Sequence, residues 1–561
     1  MRATTYAFDA RNRLIEEVQA DGTTLSYQYD ASGNRTQLRV TPAVGSAVVT
    51  NYSYDVLNRL QAVTNSNGGI TSYGYDAVGN RTSISYPNGS SQVYEYDTLN
   101  RLTTLKTYDG NGALVQQYDY TLHPTGRRTR IDELNGRNTQ YSYDELYRLV
   151  SEAITDGVNG DFNASYRYDE VGNRVEEIIN GVTTGYTYDD NDRLTQTGGT
   201  SYSHDAQGDT LSQTLAGNTA TYRYNSQQEL VSVETDSGQS LSYQYNTDGI
   251  RTGSTEGAVT TQYVVDTNRD YAQVISEVVN GSEAVSYLYG DDLISQQRNG
   301  AALYYHYDGL GSTRALTDAT GIVTDTYDYE AFGEVLNQTG LSENSYLFTG
   351  EQYDAGLDQY YLRARYYDQG VGRFTQMDTW LGKECTPITL NKYIYANADP
   401  VRYVDPSGYF GLADIGAALN IRGIQATSAQ ASFRMTVREI GKDLVCVAIE
   451  EAVSDMILQQ LTGGIYIFPE SGTGYVGRIN DFDRRMREHG RAGRRKAEGI
   501  LAKFHMDSNV NDMRLVEQFF MDLFREAHEP LTNQRNSIAR NSSSSNSRTL
   551  RRLVDRIDFC D

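Results

Sequence analysis

The sequence has very little of what crosslinked, zinc-stapled or membrane-spanning proteins need. Three cysteines in 561 residues, Cys385, Cys446 and Cys560, are too few and too scattered for a disulfide framework or a zinc site. No run of about 18 uncharged apolar residues occurs, so no membrane span is expected. The first residues also lack the apolar stretch of a Sec signal peptide.

Proline and phenylalanine are scarce, with 8 and 14 copies, whereas the chain has 46 tyrosines and 51 glycines. This composition favours many short strands joined by turns of Gly, Asn and Asp. The formal net charge of −24 disfavours nucleic-acid binding by the chain as a whole. Residues 461–561, however, carry 17 Lys and Arg against 14 Asp and Glu, which predicts a basic module attached to an acidic body.

A Tyr-x-Tyr-Asp motif recurs along most of the chain. Copies occur at residues 27–30, 73–76, 94–97, 141–144, 166–169 and 186–189, and degenerate copies continue to 305–308. A period of roughly 20–25 residues predicts an extended array in which each unit is stabilised by its neighbours. Because the chain opens inside a repeat, we also expect it to be the C-terminal part of a longer polypeptide.

Each repeat is predicted to be a β-hairpin. Alternation over residues 24–29 places Tyr27 and Tyr29 on one face of a strand. The Asp-x-x-Gly-Asn-Arg sequence that often follows predicts a turn, because Gly and Asn tolerate positive φ and Asp bonds amides two residues on. We expect the tyrosines to pack, and an aromatic platform for glycans is the alternative.

These repeats resemble the RHS or YD-repeat family over residues 1–345. Members of that family build a long β-sheet that spirals into a hollow shell, so the resemblance implies a mainly β repeat shell. Residues 346–410 resemble the RHS-associated core, on the strength of aromatic and Arg-rich stretches at 346–350, 360–368 and 372–378 and of residues 390–408.

In that family, two aspartates of paired Asp-Pro-x-Gly motifs form an aspartyl-protease-like site that cuts the chain just after the second motif. The second motif is intact at residues 405–408, whereas the first has Thr379 in place of proline and a longer spacing. The resemblance implies self-cleavage near residues 408–410 by Asp378 and Asp405. Two carboxylates that share a site can act as base and acid. The alternative is that both only bond turn amides.

The last 150 residues change character. Residues 411–460 are rich in small apolar residues, and helical spacing from Ile440 to Leu458 predicts a helical connector. Strands are predicted at 463–468, 474–478 and 501–505, the first two joined as a hairpin. Helices are predicted at 481–489, with Arg485 and His489 at i, i+4, and around 513–524.

This tail, residues 461–561, resembles the GIY-YIG endonuclease family, which implies a small α/β nuclease domain. The residues that match its motifs in order are Gly464-Ile465-Tyr466, Tyr475-Val476-Gly477, Arg485, His489, Glu517 and Asn533. Val476 stands where the family has Ile.

The chemistry of these residues suits phosphodiester hydrolysis. Glu517 can ligate Mg²⁺ or Mn²⁺, which needs oxygen ligands but keeps waters and substrate phosphate in its shell. Arg485 can stabilise the charge of the transition state. Tyr466, or alternatively Tyr475, would take the proton from the attacking water, and His489 would assist that transfer or hold the phosphate.

Four basic residues are candidates for contacts with the substrate backbone: Arg478, Arg494, Arg495 and Lys496. The alternative is that the basic run is only a solvated face.

Taken together, the sequence predicts a secreted or delivered RHS toxin whose nuclease hydrolyses DNA in the cytoplasm of a target cell. The resemblance implies a cognate immunity protein, and a secretion-apparatus component or N-terminal carrier is expected as a further partner. The alternatives are a nuclease directed at RNA, and a cell-surface adhesin that binds carbohydrate and has an inactive tail.

Overall fold

The computed structural model describes residues 4–43, 45–382 and 387–409, and the backbone of short strands at 412–413, 462–470, 473–479 and 501–505. The chain divides into two compact units, Met1–Thr427 and Ser428–Asp561. In the described part of the first unit every regular element is a strand or a short 3-10 turn, which confirms the predicted mainly β class. No helix within the described ranges could span a membrane.

Thirty-two strands of the first unit form one antiparallel sheet, in which each strand pairs with the next along the chain. The strands are β1 Thr5–Phe8, β2 Leu14–Val18, β3 Thr24–Tyr29, β4 Arg35–Thr41, β5 Val48–Tyr54, β6 Leu60–Thr64, β7 Ile70–Tyr75, β8 Arg81–Ser85, β9 Ser91–Tyr96, β10 Leu102–Tyr108, β11 Leu114–Leu122, β12 Arg128–Glu133, β13 Asn138–Tyr143, β14 Leu149–Thr155, β15 Phe162–Tyr168, β16 Arg174–Ile179, β17 Val182–Tyr188, β18 Leu194–Thr197, β19 Thr200–His204, β20 Thr210–Leu215, β21 Asn218–Tyr224, β22 Leu230–Thr235, β23 Ser240–Tyr245, β24 Arg251–Glu256, β25 Val259–Asp266, β26 Gln273–Val279, β27 Ser282–Tyr289, β28 Leu293–Arg298, β29 Ala301–Tyr307, β30 Thr313–Thr317, β31 Val323–Tyr329 and β32 Val335–Thr339.

The residues after β32 form smaller elements. A four-stranded sheet is built from β33 Gln352–Asp354, β34 Gln359–Tyr361, β35 Tyr366–Asp368 and β36 Arg373–Phe374, and 3-10 turns occupy Phe348–Gly350, Pro387–Leu390 and Ala396–Ala398. The strands β37 Tyr403–Val404 and β38 Leu412–Ala413 then pair.

The strand β38 corrects one prediction. A helical connector was expected from residue 411, but Leu412–Ala413 are extended, because their backbone bonds to β37. The helical prediction is therefore wrong at these two residues, where a backbone partner outweighs local helix propensity. The connector from residue 414 to 460 lies outside the described residues.

The two tyrosines of each motif have different structural roles. In β3 the first, Tyr27, is buried in the core, whereas the hydroxyl of the second, Tyr29, donates to the carbonyl of Leu14, the first residue of β2, at 2.6 Å. The same bond to the start of the preceding strand recurs at Tyr54, Tyr75, Tyr96, Tyr143, Tyr168, Tyr188, Tyr245, Tyr307 and Tyr329. The predicted packing role is confirmed, and these tyrosines offer no free aromatic platform.

The aspartate of the motif organises the turn, as predicted. In the further copy at residues 52–55, Asp55 accepts the amides of Leu57 at 2.8 Å and Arg59 at 3.0 Å through one carboxylate oxygen. Its other oxygen pairs with the Arg59 guanidinium at 2.7 Å. Arg59 also donates to the carbonyl of Asp76, in the next turn on that edge, at 3.1 Å. Neighbouring turns are thereby joined along one rim of the sheet.

The arginine that follows the turn enters the core in two repeats, which no local pattern predicted: Arg81 of Gly79-Asn80-Arg81, and Arg251, which follows Gly249-Ile250. Arg81 pairs with Asp292 at 2.6 Å and lies over the ring of Tyr94 at 4.9 Å. Arg251, 2% exposed, pairs with Asp354 at 2.6 Å and donates to the side-chain oxygen of Gln352 at 2.9 Å. A buried guanidinium is stable only with such partners, because an unpaired buried charge is costly.

The sheet curves back on itself. The Tyr27 hydroxyl donates to Asp266, at the end of β25, at 3.0 Å. Residues 346–401 contact strands that are far apart in the sheet: Arg128 of β12 donates to the carbonyl of Val401 at 3.1 Å, and Thr313 of β30 to that of Tyr346 at 2.8 Å. In a flat sheet with about 4.8 Å per strand, β12 and β30 would be roughly 85 Å apart. The sheet therefore curves around residues 346–401.

The side chain of Asp399 makes the stability of this part of the fold depend on pH. This side chain is buried, and the cations that act on it are Arg127, whose Nε lies 3.4 Å from the carboxylate, Arg402 and Arg128. Burial nevertheless raises the pKa of Asp399 from 3.8 to about 7. The folded state thus favours the neutral acid. The contribution of Asp399 to the free energy of unfolding is therefore complete below about pH 4 and is lost as pH rises through about 7.

We expect Asp399→Asn to remove this dependence. Relative to wild type, the variant should gain free energy of unfolding between about pH 5 and 8, because Asn stays neutral. Urea midpoints of both proteins at the two pH values measure the difference. A difference that is the same at both pH values would contradict the role of Asp399.

Candidate self-cleavage site

Backbone hydrogen bonds join residues 392 and 393 to the chain that leads into Asp378. The amide of Phe374 donates to the Tyr393 carbonyl at 2.9 Å, and the amide of Asp378 donates to the Lys392 carbonyl at 3.0 Å. Further out, Gly382 has φ +81°, and a Cβ there would collide with the carbonyl of Thr389. These backbone bonds bring residues 392 and 393 beside residues 374–378, so the longer spacing between the two predicted motifs does not separate Asp378 from Asp405.

Asp405 holds the second motif in a tight turn after β37. One of its carboxylate oxygens accepts the Ser407 hydroxyl at 3.0 Å and the amides of Gly408 at 2.9 Å and Tyr409 at 3.1 Å. The Arg363 guanidinium donates to the Pro406 carbonyl. The segment in which cleavage is predicted is therefore fixed by its own aspartate and by the preceding chain.

Arg365 joins the two aspartates. Its Nη2 lies 2.9 Å from Oδ2 of Asp378 and 3.7 Å from Oδ2 of Asp405. Its Nε donates to the carbonyl of Gly408, its Nη1 donates to that of Lys392 at 2.9 Å, and its guanidinium lies 3.6 Å over the ring of Phe374. One cation thus contacts both carboxylates and a peptide carbonyl of the predicted cleavage segment.

Burial controls the charge of this cluster. Asp378 is 8% exposed, Asp405 3% and Arg365 4%. Desolvation raises the pKa of both aspartates, and the attraction of Arg365 opposes that shift. Desolvation likewise lowers the pKa of Arg365. Because the two buried carboxylates repel each other, the arrangement favours a state in which one of them is protonated.

Such a site can hydrolyse a peptide bond. An ionised carboxylate can accept a proton from water, a protonated one can donate to the leaving nitrogen, and Arg365 can polarise the carbonyl. Both aspartates were predicted from their motifs, whereas no motif predicted a role for Arg365. The available signal was a charged residue inside the dense aromatic run at 360–367, where a buried arginine needs acidic partners.

The second unit contains the strands predicted for the tail. They are β39 Thr462–Glu470, β40 Thr473–Ile479 and β41 Leu501–His505, with β39 in the centre of an antiparallel sheet. Tyr466 is paired with Gly477, and Tyr475 with Phe468. Successive residues alternate between faces, so Tyr466 and Tyr475 share one face of the hairpin. Arg478, paired with Ile465, falls on the other face.

The other predicted nuclease residues lie outside the described residues: Arg485, His489, Arg494, Arg495, Lys496, Glu517 and Asn533. The two predicted tail helices lie outside them as well. Within the ranges that are described, no group of three or more His, Cys, Asp or Glu side chains could hold a metal ion.

Comparison with known proteins identifies the repeats. The Teneurin YD-shell family matches residues 125–401, and the RHS Repeat family matches residues 8–47, 54–91 and 75–113. Similar curated proteins are the "tRNA3(Ser)-specific nuclease WapA" of Bacillus spizizenii, 30% identical, and the "tRNA nuclease WapA" of Bacillus subtilis, 31% identical, each over 408 residues. Each alignment covers 71% of this chain but only 11% of the relative.

A solved structure supports the fold. The Tc holotoxin pore of Photorhabdus luminescens superposes with a TM-score of 0.53 at 16% identity, over 73% of this chain and 27% of that chain. Identity this low shows a shared fold and nothing more. Together with the two family matches and the WapA relatives, the continuous antiparallel sheet shows that the repeat body of this chain belongs to the RHS/YD-repeat family.

Proposed function

We propose that the chain is a nuclease toxin that releases its C-terminal domain by self-cleavage. The observation that carries the proposal is the meeting of Asp378 and Asp405 at Arg365, beside the backbone of residues 406–409. The names of the WapA relatives, which describe nucleases, support the toxin class. The nuclease would then be separated from a body that the family relationship assigns to the RHS/YD repeats.

The self-cleavage step is a hydrolysis. One aspartate accepts a proton from water as the water oxygen bonds to the carbonyl carbon of a peptide near residues 408–410. The other aspartate gives its proton to the nitrogen of that peptide as the carbon–nitrogen bond breaks. The products are a new carboxylate and a new amine. Arg365 balances the charge that develops on the carbonyl oxygen.

The released domain would act as a GIY-YIG-type nuclease. Tyr466 and Tyr475 share one face of the β39–β40 hairpin, which is compatible with either acting as the base. Glu517 would hold Mg²⁺ or Mn²⁺, and the metal would supply Lewis-acid stabilisation of the phosphate. Arg485 and His489 would contact the reacting phosphate, and Asn533 completes the proposed set.

DNA is the proposed substrate, and tRNA is the second candidate because both WapA relatives are named as tRNA nucleases. Both are polyanions that the basic residues near 491–496 would bind through phosphates. We propose a secreted or delivered protein that acts in the cytoplasm of a target cell, together with an immunity protein in the producer and a carrier component for delivery. The buried motif tyrosines disfavour the adhesin alternative.

Glu517→Gln is expected to lower nuclease activity at least roughly 100-fold, because the amide is a poor replacement for a carboxylate ligand of a hard cation. The measurement is degradation of plasmid DNA and of tRNA by the purified full-length chain with Mg²⁺ or EDTA. Glu526→Gln, a nearby carboxylate outside the proposed set, serves as the control. Equal activity of wild type and Glu517→Gln on both substrates would refute the nuclease assignment, and the preferred substrate decides between DNA and RNA.

A further inference from the structure

Lys392 contacts the candidate self-cleavage site at three points. Its backbone carbonyl accepts the amide of Asp378 at 3.0 Å and Nη1 of Arg365 at 2.9 Å. Its ammonium group donates to the carbonyl of Trp380 at 2.6 Å. Lys392 therefore contacts the Asp378 loop at residues 378 and 380, and it also contacts the guanidinium of Arg365.

These contacts lie where the first motif lacks its proline. A proline after Asp378 would fix one backbone angle, whereas Thr379 leaves it free. Residue 380 is held instead by two bonds: Asp378 Oδ1 accepts its amide at 2.8 Å, and Lys392 Nζ bonds its carbonyl. The ammonium of Lys392 thus supplies a restraint on the Asp378 loop that the motif itself no longer provides.

Lys392 also makes the surroundings of the two aspartates unequal. The charged groups that face Asp378 are Arg365, Asp405 and Lys392, and those that face Lys392 are Asp378 and Arg365. The positive charge of Lys392 acts to lower the pKa of Asp378. Asp405 is held by Arg365 and by the hydroxyl and amides of its own turn. Lys392 thus adds a second positive charge to the surroundings of Asp378, two residues from the carbonyl that its ammonium group bonds.

We propose that Lys392 is a positioning residue for self-cleavage that keeps Asp378 ionised as the base and leaves Asp405 as the proton donor. The inference rests on the proposed self-cleavage. Water gives its proton to Asp378 as its oxygen bonds to the carbonyl carbon, and Asp405 gives its proton to the nitrogen that leaves. Each bond formed is matched by one broken, and no other reactant is needed.

The test is the pH profile of self-cleavage. The full-length chain is made in a short cell-free translation pulse and transferred to buffers between about pH 5 and 9, and the cut fraction is followed on gels. Lys392→Met should move the acidic limb of the rate profile up by about one pH unit and slow cleavage roughly tenfold at the acidic end. Lys392→Gln keeps a donor for the Trp380 carbonyl but not the charge, so it should shift the limb equally.

Two controls separate charge from structure. Lys392→Arg keeps the charge and should retain the wild-type profile, and Lys106→Met removes a lysine that pairs with Glu95 on the sheet surface and should change nothing. Tyrosine fluorescence checks that each variant folds. If Lys392→Met and Lys392→Gln keep the wild-type limb, or lose rate equally at every pH, the role of Lys392 is refuted. If wild type is never cut, self-cleavage itself is refuted, which is a distinct outcome.

Discussion

Asp405→Asn is expected to leave the full-length chain uncut. The asparagine oxygen can still accept the amides of Gly408 and Tyr409, so the turn is retained, but the amide can neither hold nor transfer the shared proton. Asp378→Asn should have the same effect, because it removes the other half of the pair. The expected loss of rate is on the order of 10³-fold for each variant.

Intact mass of the purified chain over time measures this effect. Wild type should give two fragments that meet near residues 408–410, whereas both variants should give one species. Asp190→Asn changes an exposed aspartate elsewhere in the body and should be cut like wild type. Fragments of wild-type size from either Asp378→Asn or Asp405→Asn would show that the two carboxylates only stabilise turns, which is the alternative reading of these residues.

Arg251→Met is expected to lower the free energy of unfolding of the body by about 3–5 kcal/mol. Methionine fills much of the volume of the arginine stem, but Asp354 and Gln352 lose their partner inside the protein. Arg251 also donates to the hydroxyl of Tyr366 at 3.0 Å and lies over the ring of Tyr361 at 4.3 Å. The cost therefore comes mainly from a carboxylate left without its counter-charge.

Chemical denaturation followed by tyrosine fluorescence measures this loss. Arg223→Met is the matched control, because Arg223 is 63% exposed and its pair with Glu234 at 3.6 Å should contribute less than about 1 kcal/mol. Adding Asp354→Asn to Arg251→Met should restore part of the stability, since the unpaired charge is removed. Equal losses for Arg251→Met and Arg223→Met would contradict the role assigned to the buried arginine.

Local sequence patterns predicted the fold up to the level of the single hairpin. The turn role of Asp55 and the burial of Tyr27 follow from residues within one repeat, so periodicity and turn chemistry predict them. The partners of Arg81 and Arg251 lie 211 and 103 residues away in sequence. No local pattern identifies such partners, so the sequence predicted no role for these two arginines in the core.

The candidate self-cleavage site was likewise predictable from local sequence only in part. Asp378 and Asp405 belong to a recognisable motif, whereas Arg365 and Lys392 act through backbone carbonyls and contacts that exist only after folding. In the tail, short apolar runs and a turn-rich connection predicted strands that the backbone of the second unit confirms at β39, β40 and β41. The nuclease roles of Tyr466, Glu517 and their neighbours stay predictions, because they depend on positions beyond the described residues.

The contact between Tyr27 and Asp266 fixes how many strands can lie between the two residues that it joins. In an open solenoid each unit touches only the next, so a unit can be added or removed with little effect elsewhere. Here the hydroxyl of Tyr27 meets Asp266 and the guanidinium of Arg81 meets Asp292, across more than 200 residues. Inserting one extra hairpin near residue 180 would displace each partner by two strands. The number of hairpins between these paired residues is thus set by the buried contacts that join them.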